Sequence, residues 1–244
     1  MQKKPVYAEG DKMQKTLGII CAMEEELAPL KEVMTLSETR NKARMEFYRG
    51  KMKDLDVVLV VSGIGKVNAA VCAQILSDDY HVTHLINVGV AGGIKEYIRP
   101  LDVVIATSLI QHDMDVTAFG LKKGEIPRFE TSEFKTDDLL TRLAYEFSLR
   151  NKDYGTYKGI IVSGDEFISS RERILSLDEE FNASACEMEG AAIAQVAYLN
   201  NLRFAVIRAI SDNAGTGASI DYEKFKDKAV QNTVNIILHI VENL

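Results

Sequence analysis

The sequence predicts an α/β fold in which a single domain holds a mixed, mostly parallel twisted sheet flanked by helices. Three observations predict it. Short apolar runs rich in Val and Ile alternate with segments of helical periodicity along the 244 residues, which is the order of a β-α-β chain. The runs are nearly continuous in apolar residues, as strands covered on both faces are. No shift in composition marks a domain boundary.

Six apolar runs have the length and the β-branched content of buried strands. They are residues 16–22, 56–63, 84–90, 102–110, 158–164 and 203–211. Helical spacing of apolar residues occurs at 24–34, 66–76, 139–149, 189–200 and 222–243. Residues 111–135 have no periodicity and contain Gly and Pro, so we expect a loop excursion that serves as a lid or a contact surface.

Composition and charge exclude several classes of partner. The chain has 36 acidic and 29 basic residues and a net charge of −7, which repels a nucleic-acid backbone. Three widely separated cysteines in apolar surroundings are expected to be reduced and buried, which favours the cytoplasm. No apolar run reaches a membrane-spanning length or forms a signal-peptide core. We expect a disordered extension at 1–12 and one domain at 13–244.

Familiar short motifs explain little of this sequence. SGIGK at 62–66 lacks the spacing of a phosphate-binding loop, and GVAGG at 89–93 lacks that of a dinucleotide-binding turn. The glycines of GVAGG serve either a turn with positive φ or a close approach of the backbone to a flat ligand. The four histidines form no HExxH pair and no Cys/His cluster, so no metal is expected. The GxSxG motif of serine hydrolases is also missing.

Acidic residues next to the expected strand ends are the stronger signal. In open α/β sheets, ligands bind beyond the carboxyl ends of the strands, where Glu26, Glu189 and Asp212 are expected. Glu24 and Glu25 fit a first helical turn, which favours acidic residues through the helix dipole alone. Glu26 is instead expected to point back over the strand end. Asp212 by itself could be a cap, but three carboxylates in one crevice indicate acid–base chemistry.

Seven motifs, taken in order, resemble one family. They are MEEE (23–26), SGIGK (62–66), AGG (91–93), HDMDVTAFG (112–120), SGDEFI (163–168), EMEG (187–190) and RAISDNA (208–214). From about Thr16 to the C-terminus the chain is similar to the methylthioadenosine/S-adenosylhomocysteine nucleosidases of the nucleoside phosphorylase superfamily. The resemblance implies hydrolysis of the bond between adenine N9 and ribose C1′, a reaction of methionine salvage that uses no cofactor. It also implies a homodimer in which Phe119 and Pro127 reach into the partner's site.

The resemblance implies three catalytic roles. Asp212 is the general acid at adenine N7, supported by Ser211. Glu26 binds and deprotonates the attacking water with help from Arg208. Glu189 accepts hydrogen bonds from the ribose 2′ and 3′ hydroxyls. These roles suit a reaction that builds positive charge on the sugar and negative charge on the base.

The remaining substrate-binding residues also come from the resemblance. They are Met23, Ile64, Gly92, Val116, Phe167, Ile168, Glu187, Met188 and Tyr222. Within this set, Phe167 stacks on the base and the Ile168 backbone reads its edge. Glu187 is expected to pair with Arg208 or to cap the following helix.

Three other functions stay open at this point. An aminodeoxyfutalosine nucleosidase would share the base and ribose contacts and differ only in the 5′ pocket. A phosphorylase would need a basic phosphate pocket, whereas the loop AMEEEL at 22–27 is acidic. A non-catalytic adenosine-binding protein would not need the three carboxylates. The sequence does not rank methylthioadenosine, S-adenosylhomocysteine, 5′-deoxyadenosine and aminodeoxyfutalosine as substrates.

Overall fold

The computed structural model describes residues 15–213 and 218–244. The extension expected at residues 1–12 lies outside this range. The strands are β1 (Thr16–Cys21), β2 (Thr35–Lys42), β3 (Met45–Met52), β4 (Leu55–Val61), β5 (His84–Gly93), β6 (Val103–Gln111), β7 (Phe134–Lys135), β8 (Thr156–Ser163), β9 (Ala183–Glu187) and β10 (Arg203–Asp212). The helices are α1 (Glu24–Glu32), α2 (Lys66–Tyr80), α3 (Asp138–Ser148), α4 (Arg171–Phe181), α5 (Gly190–Leu199) and α6 (Ala218–Asn243).

All described strands belong to one sheet that partly closes on itself. Its order is β10-β6-β8-β9-β5-β1-β4-β3-β2, and an additional pairing joins β10 to β5. The strands β5, β10, β6, β8 and β9 therefore form a closed ring, from which β1, β4, β3 and β2 extend. Strand β5 pairs in parallel with β1 and β10 and antiparallel with β9. This central position brings the ends of β1, β9 and β10 together around β5.

Helices cover the two faces of the sheet with separate apolar cores. One core packs α2 and α5 against side chains such as Ile20 and Val206, and the other packs α1, α3 and α6 against side chains such as Ile19 and Ile207. Neighbouring residues of one strand thus point to opposite cores, which explains why the strands are apolar without alternation. The cysteines are buried and free, as predicted. No helix in the described residues is long and apolar enough to cross a membrane.

The six predicted strands and five predicted helices are present, with shifts at their ends. The excursion predicted at 111–135 is observed at 112–133, between β6 and β7, with a 3-10 turn at Thr117–Phe119. Sequence reasoning missed β2, β3, β7, β9 and α4, and most of the pairings of these strands are antiparallel. The sheet is therefore mixed as predicted, but more antiparallel than predicted. Strand β2 is exposed along its whole length, so it carries no apolar signal.

Candidate active site

One cavity of about 270 Å³ lies at the carboxyl ends of β1, β5 and β10. Predicted site residues that line it are Met23, Glu26, Ile64, Gly92, Phe167, Ile168, Glu187, Met188, Glu189, Ser211 and Asp212. The lining also includes Ala22, Val90, Ala91, Glu166 and Cys186. Motifs from both ends of the chain therefore share one crevice, as the placement of the strand ends predicts.

Glu26 anchors one wall of the cavity. It lies in the first turn of α1 and is only 4% exposed. Its Oε2 accepts hydrogen bonds from the backbone N–H of Ala22 at 2.8 Å and of Met23 at 3.1 Å. Its Oε1 accepts a third from the backbone N–H of Val90 at 3.1 Å. The side chain therefore points back over the end of β1, as predicted, and its carboxylate joins that loop to β5.

Glycine at position 89 allows this arrangement. A Cβ atom there would lie 2.5 Å from Glu26 Oε1 and 2.6 Å from Arg208 Nη1. Strand β5 pairs Gly89 with Arg208 of β10, so the missing side chain leaves room for a carboxylate and a guanidinium. Of the two interpretations of GVAGG, the structure supports close approach at Gly89, with side chains of the protein rather than a ligand as the neighbours.

Glu187 and Arg208 form the floor of the site. Their ion pair is buried, with side-chain exposures of 2% and 1%. Glu187 also accepts hydrogen bonds from the Ser163 hydroxyl and from the backbone N–H groups of Glu189, at 3.1 Å, and Gly190, at 2.8 Å. Both expected roles of Glu187 are therefore present together: it pairs with Arg208 and caps α5. Its carboxylate is committed to protein donors.

Glu189 faces the cavity directly above this floor. Its Oε1 accepts a hydrogen bond from the backbone N–H of Gly65 at 2.9 Å, and its Oε2 lies 3.8 Å from Arg208 Nη2. Glu189 is the residue before the first turn of α5 and is 4% exposed. Oε2 is thus the oxygen available to a ligand hydroxyl.

Asp212 and Ser211 close the opposite side. Asp212 is 3% exposed at the end of β10, where the register shifts between Ile210 and Asp212 and sets Asp212 opposite Gly92. The Ser211 hydroxyl donates to Asp212 Oδ1 at 2.7 Å. A hydroxyl donor on one carboxylate oxygen orients the other, which is the arrangement that a positioned acid needs.

Apolar side chains complete the cavity, and some predicted residues lie elsewhere. Phe167 is 50% exposed at the rim and Ile168 is buried beside it. Val116 is not among the residues that line the cavity. It is half-buried and lies just before the 3-10 turn. Phe119 and Pro127 are exposed on the same excursion. Arg208 lies beneath the lining rather than in it. The side chain of Tyr222 lies outside the described residues.

Two of the buried glutamates that line the cavity, Glu26 and Glu189, have raised pKa values. Burial raises the pKa of Glu26, although Arg208 and the three backbone N–H donors oppose it. Burial, and then the charge of Glu187, raise the pKa of Glu189 to about 7. Such shifts are typical of active sites, because a base works best when its pKa is near the working pH.

Comparison with known proteins decides the family. The phosphorylase superfamily matches residues 16–242. The 5′-methylthioadenosine/S-adenosylhomocysteine nucleosidase of Bacillus thuringiensis subsp. konkukian (strain 97-27) is 38% identical over 229 residues, which cover 93% of this chain and 99% of that protein. The chain belongs to the 5′-methylthioadenosine/S-adenosylhomocysteine nucleosidase family.

Solved structures have the same fold. The nucleosidase of this family from Neisseria meningitidis, in complex with methylthio-immucillin-A, has a TM-score of 0.90 and 37% identity, covering 94% of this chain and 100% of its own. The native futalosine hydrolase of Helicobacter pylori strain 26695 has a TM-score of 0.90 and 31% identity, covering 96% and 100%. The resemblance and the fold class predicted from the sequence are therefore confirmed.

Sequence reasoning missed part of this nucleosidase-family site. Asn87 accepts a hydrogen bond from Arg208 and is fully buried, and Ser163 bonds Glu187 from below. Both are polar residues inside apolar strands, and that signal could have marked them, because a buried polar side chain needs a partner. Gly65 contacts Glu189 through its backbone N–H, and the type of residue at this position does not indicate such a contact.

Proposed function

We propose that the chain hydrolyses the N-glycosidic bond of 5′-methylthioadenosine and S-adenosylhomocysteine, and of 5′-deoxyadenosine, releasing adenine and the 5′-substituted ribose. The observation that carries the proposal is the convergence of Glu26, Glu189 and Asp212 on one cavity. Family membership supports the same reaction, because a relative that is 38% identical over 93% of this chain carries this name.

Asp212 protonates the leaving base. As the bond to ribose C1′ breaks, negative charge builds on adenine, and a proton delivered to N7 makes the base a better leaving group. The Ser211 hydroxyl donates to Oδ1 and so holds the carboxyl group of Asp212 in one orientation at the cavity wall. A positioned acid contributes roughly 10² to 10⁴ in rate, so orientation of the substrate must supply much of the rest.

Glu26 activates the water. Its three backbone hydrogen bonds fix the carboxylate in one orientation, and the guanidinium of Arg208 lies beside it. The anionic carboxylate stabilises the positive sugar ring and accepts the proton of the attacking water. Water then adds to C1′ as the base departs on the opposite side.

Glu189 binds the ribose and the apolar residues hold the rest of the nucleoside. Oε2 of Glu189 accepts hydrogen bonds from the 2′ and 3′ hydroxyls, which strengthen because the acceptor is charged. Phe167 stacks on adenine and the Ile168 backbone reads its edge. Met23, Met188 and Ile64 supply the soft apolar wall that a thioether favours.

The charges around the cavity favour water over phosphate as the nucleophile. None of the described lining residues is Lys, Arg or His, and the nearby Arg208 is already paired with Glu187. Among the described lining residues a phosphate dianion would therefore meet several carboxylates and no cation, and like charges repel strongly in a buried site.

An assay that identifies the nucleophile tests the proposal. The purified protein is incubated with 5′-methylthioadenosine in phosphate-free buffer, and in the same buffer with added phosphate. We expect equal rates of adenine release and free methylthioribose as the sugar product by mass spectrometry. An absolute need for phosphate, with methylthioribose 1-phosphate as the product, would establish a phosphorylase instead.

A second candidate substrate is aminodeoxyfutalosine. It is favoured by the likeness to the futalosine hydrolase of Helicobacter pylori. Values of kcat/KM for the four nucleosides named above, measured side by side, separate the two functions. We expect methylthioadenosine and S-adenosylhomocysteine to be preferred, and a clear preference for aminodeoxyfutalosine would reverse the assignment.

We further place the protein in the cytoplasm as a homodimer. Free, buried Cys21, Cys72 and Cys186 suit a reducing compartment. Phe119 is 86% exposed, and a large aromatic side chain in that position is a common anchor of protein interfaces. Analytical ultracentrifugation of the wild type and of Phe119→Ala tests the homodimer. We expect the wild type to sediment as a dimer and Phe119→Ala to dissociate more readily. A wild type that sediments as a monomer at micromolar concentration would contradict it.

A further inference from the structure

Lys66 closes a ring of hydrogen bonds at the mouth of the cavity. Its backbone N–H donates to Asp165 Oδ1 at 2.8 Å, and the backbone N–H of Asp165 donates to Asp113 Oδ2 at 3.0 Å. The Lys66 ammonium then donates to Asp113 Oδ1 at 2.6 Å and to Gln111 Oε1 at 3.0 Å. Three loops that follow different strands, β4, β6 and β8, are thus tied into one unit.

The ion pair of the ring is less exposed than the surface pair of Lys53 and Glu242. Lys66 and Asp113 have side-chain exposures of 16% and 29%, compared with 64% and 49% for Lys53 and Glu242. Burial alone would raise the pKa of Asp113, but the Lys66 ammonium and the Asp165 N–H hold it below its usual value. Partly buried charge-assisted hydrogen bonds of this kind hold their geometry more firmly than exposed ones.

The ring ends one residue away from the proposed ribose ligand. The residue before Lys66 is Gly65, whose backbone N–H donates to Glu189 Oε1 at 2.9 Å. Gly65 has φ +99°, a conformation that glycine adopts readily and other residues do not. Because Lys66 is held through both its backbone and its side chain, the adjacent Gly65 and its N–H are restrained too.

We propose that Lys66 is a positioning residue, which sets the orientation of the Glu189 carboxylate through the N–H of Gly65. The ammonium does not serve as a phosphate ligand, since Lys66 is not among the residues that line the cavity. This role rests on the proposed function, in which Glu189 binds the ribose hydroxyls. Loss of Lys66 therefore weakens recognition of the ribose and leaves proton transfer at the base largely intact.

The test compares two ligands across three variants. Lys66→Met removes the ammonium and Asp113→Asn removes its partner charge. Lys42→Met is the control, because it removes the ion pair with Asp79 at the C-terminal end of α2, whereas Lys66 is the first residue of this helix. For each protein we measure kcat and KM for 5′-methylthioadenosine, the Ki of its 2′,3′-dideoxy analogue, and the melting temperature. The analogue has no hydroxyls for Glu189 to bind.

Lys66→Met is expected to raise KM about tenfold, as the loss of one charge-assisted hydrogen bond would. The Ki of the dideoxy analogue should change less than about twofold, within the usual additivity of independent sites. Asp113→Asn should shift KM in the same direction, which keeps the test open if Lys66→Met does not fold. Equal weakening of both ligands, or no change in either, would overturn the positioning role. A wild type that releases no adenine would instead refute the proposed function.

Discussion

Arg208 and Glu187 form an ion pair that is almost completely withdrawn from solvent, with side-chain exposures of 1% and 2%. Arg208 stands on β10 and Glu187 at the end of β9, so the pair joins two strands that are not neighbours. Above it lie Glu26 and Glu189, whose charges the guanidinium partly balances. The pair is therefore the electrostatic support of the site.

Replacing Glu187 with Gln should cost stability. The guanidinium would stay buried without its main counter-charge, and breaking a buried pair in this way typically costs about 3 to 5 kcal/mol. Urea denaturation measures the free energy of unfolding of the variant and of the wild type. Glu242→Gln, in the exposed pair with Lys53, is the control and should unfold at the wild-type urea concentration. Equal stability of both variants would show that the buried pair adds nothing.

Gly89→Ala should abolish activity while Gly93→Ala keeps most of it. At position 89 the added methyl would meet Glu26 Oε1 at 2.5 Å and Arg208 Nη1 at 2.6 Å, so the carboxylate must move. At position 93 on the same strand the nearest atoms are side-chain carbons 3.3 Å away, which can adjust. Adenine release by the two variants is compared. If Gly89→Ala releases adenine at the wild-type rate, the close packing at Gly89 is not required for activity.

Asp212→Asn should retain the fold and lose roughly 10² to 10⁴ in kcat, since an amide cannot protonate the base. Far-UV circular dichroism checks the fold and adenine release checks the rate. Asp153→Asn, at an exposed position between α3 and β8, is the matched control and should behave as wild type. If Asp212→Asn turns over substrate at the control rate, another group is the acid.

The pH profile should report the raised pKa values of the buried glutamates. Glu26 must be ionised to accept a proton, and burial raises its pKa above the usual 4.5. Glu189, with a pKa of about 7, must be ionised to bind the hydroxyls strongly. As pH falls through these values both groups take up protons, so kcat/KM should already decline below about pH 7. A profile that stays flat down to pH 4.5 in folded enzyme would contradict this.

The sequence indicates the position of Glu26 because its strand, turn and helix are consecutive, so the direction of the side chain follows from local geometry. The contact of Glu187 with Ser163 could not be found in this way. Ser163 lies on β8, and its pairing with Glu187 depends on β9, a run of five small or polar residues that carries little apolar signal. Contacts made by backbone atoms, such as the Gly65 N–H, cannot be predicted from the sequence either, because they do not depend on the type of side chain.

A crystal structure of Asp212→Asn with intact 5′-methylthioadenosine tests the central claim most directly. We expect adenine N7 within hydrogen-bond distance of residue 212, both ribose hydroxyls on Glu189, and a water between Glu26 and C1′. A nucleoside bound with its ribose away from Glu189, or with no path from Glu26 to C1′, would contradict the assignment of the three carboxylates.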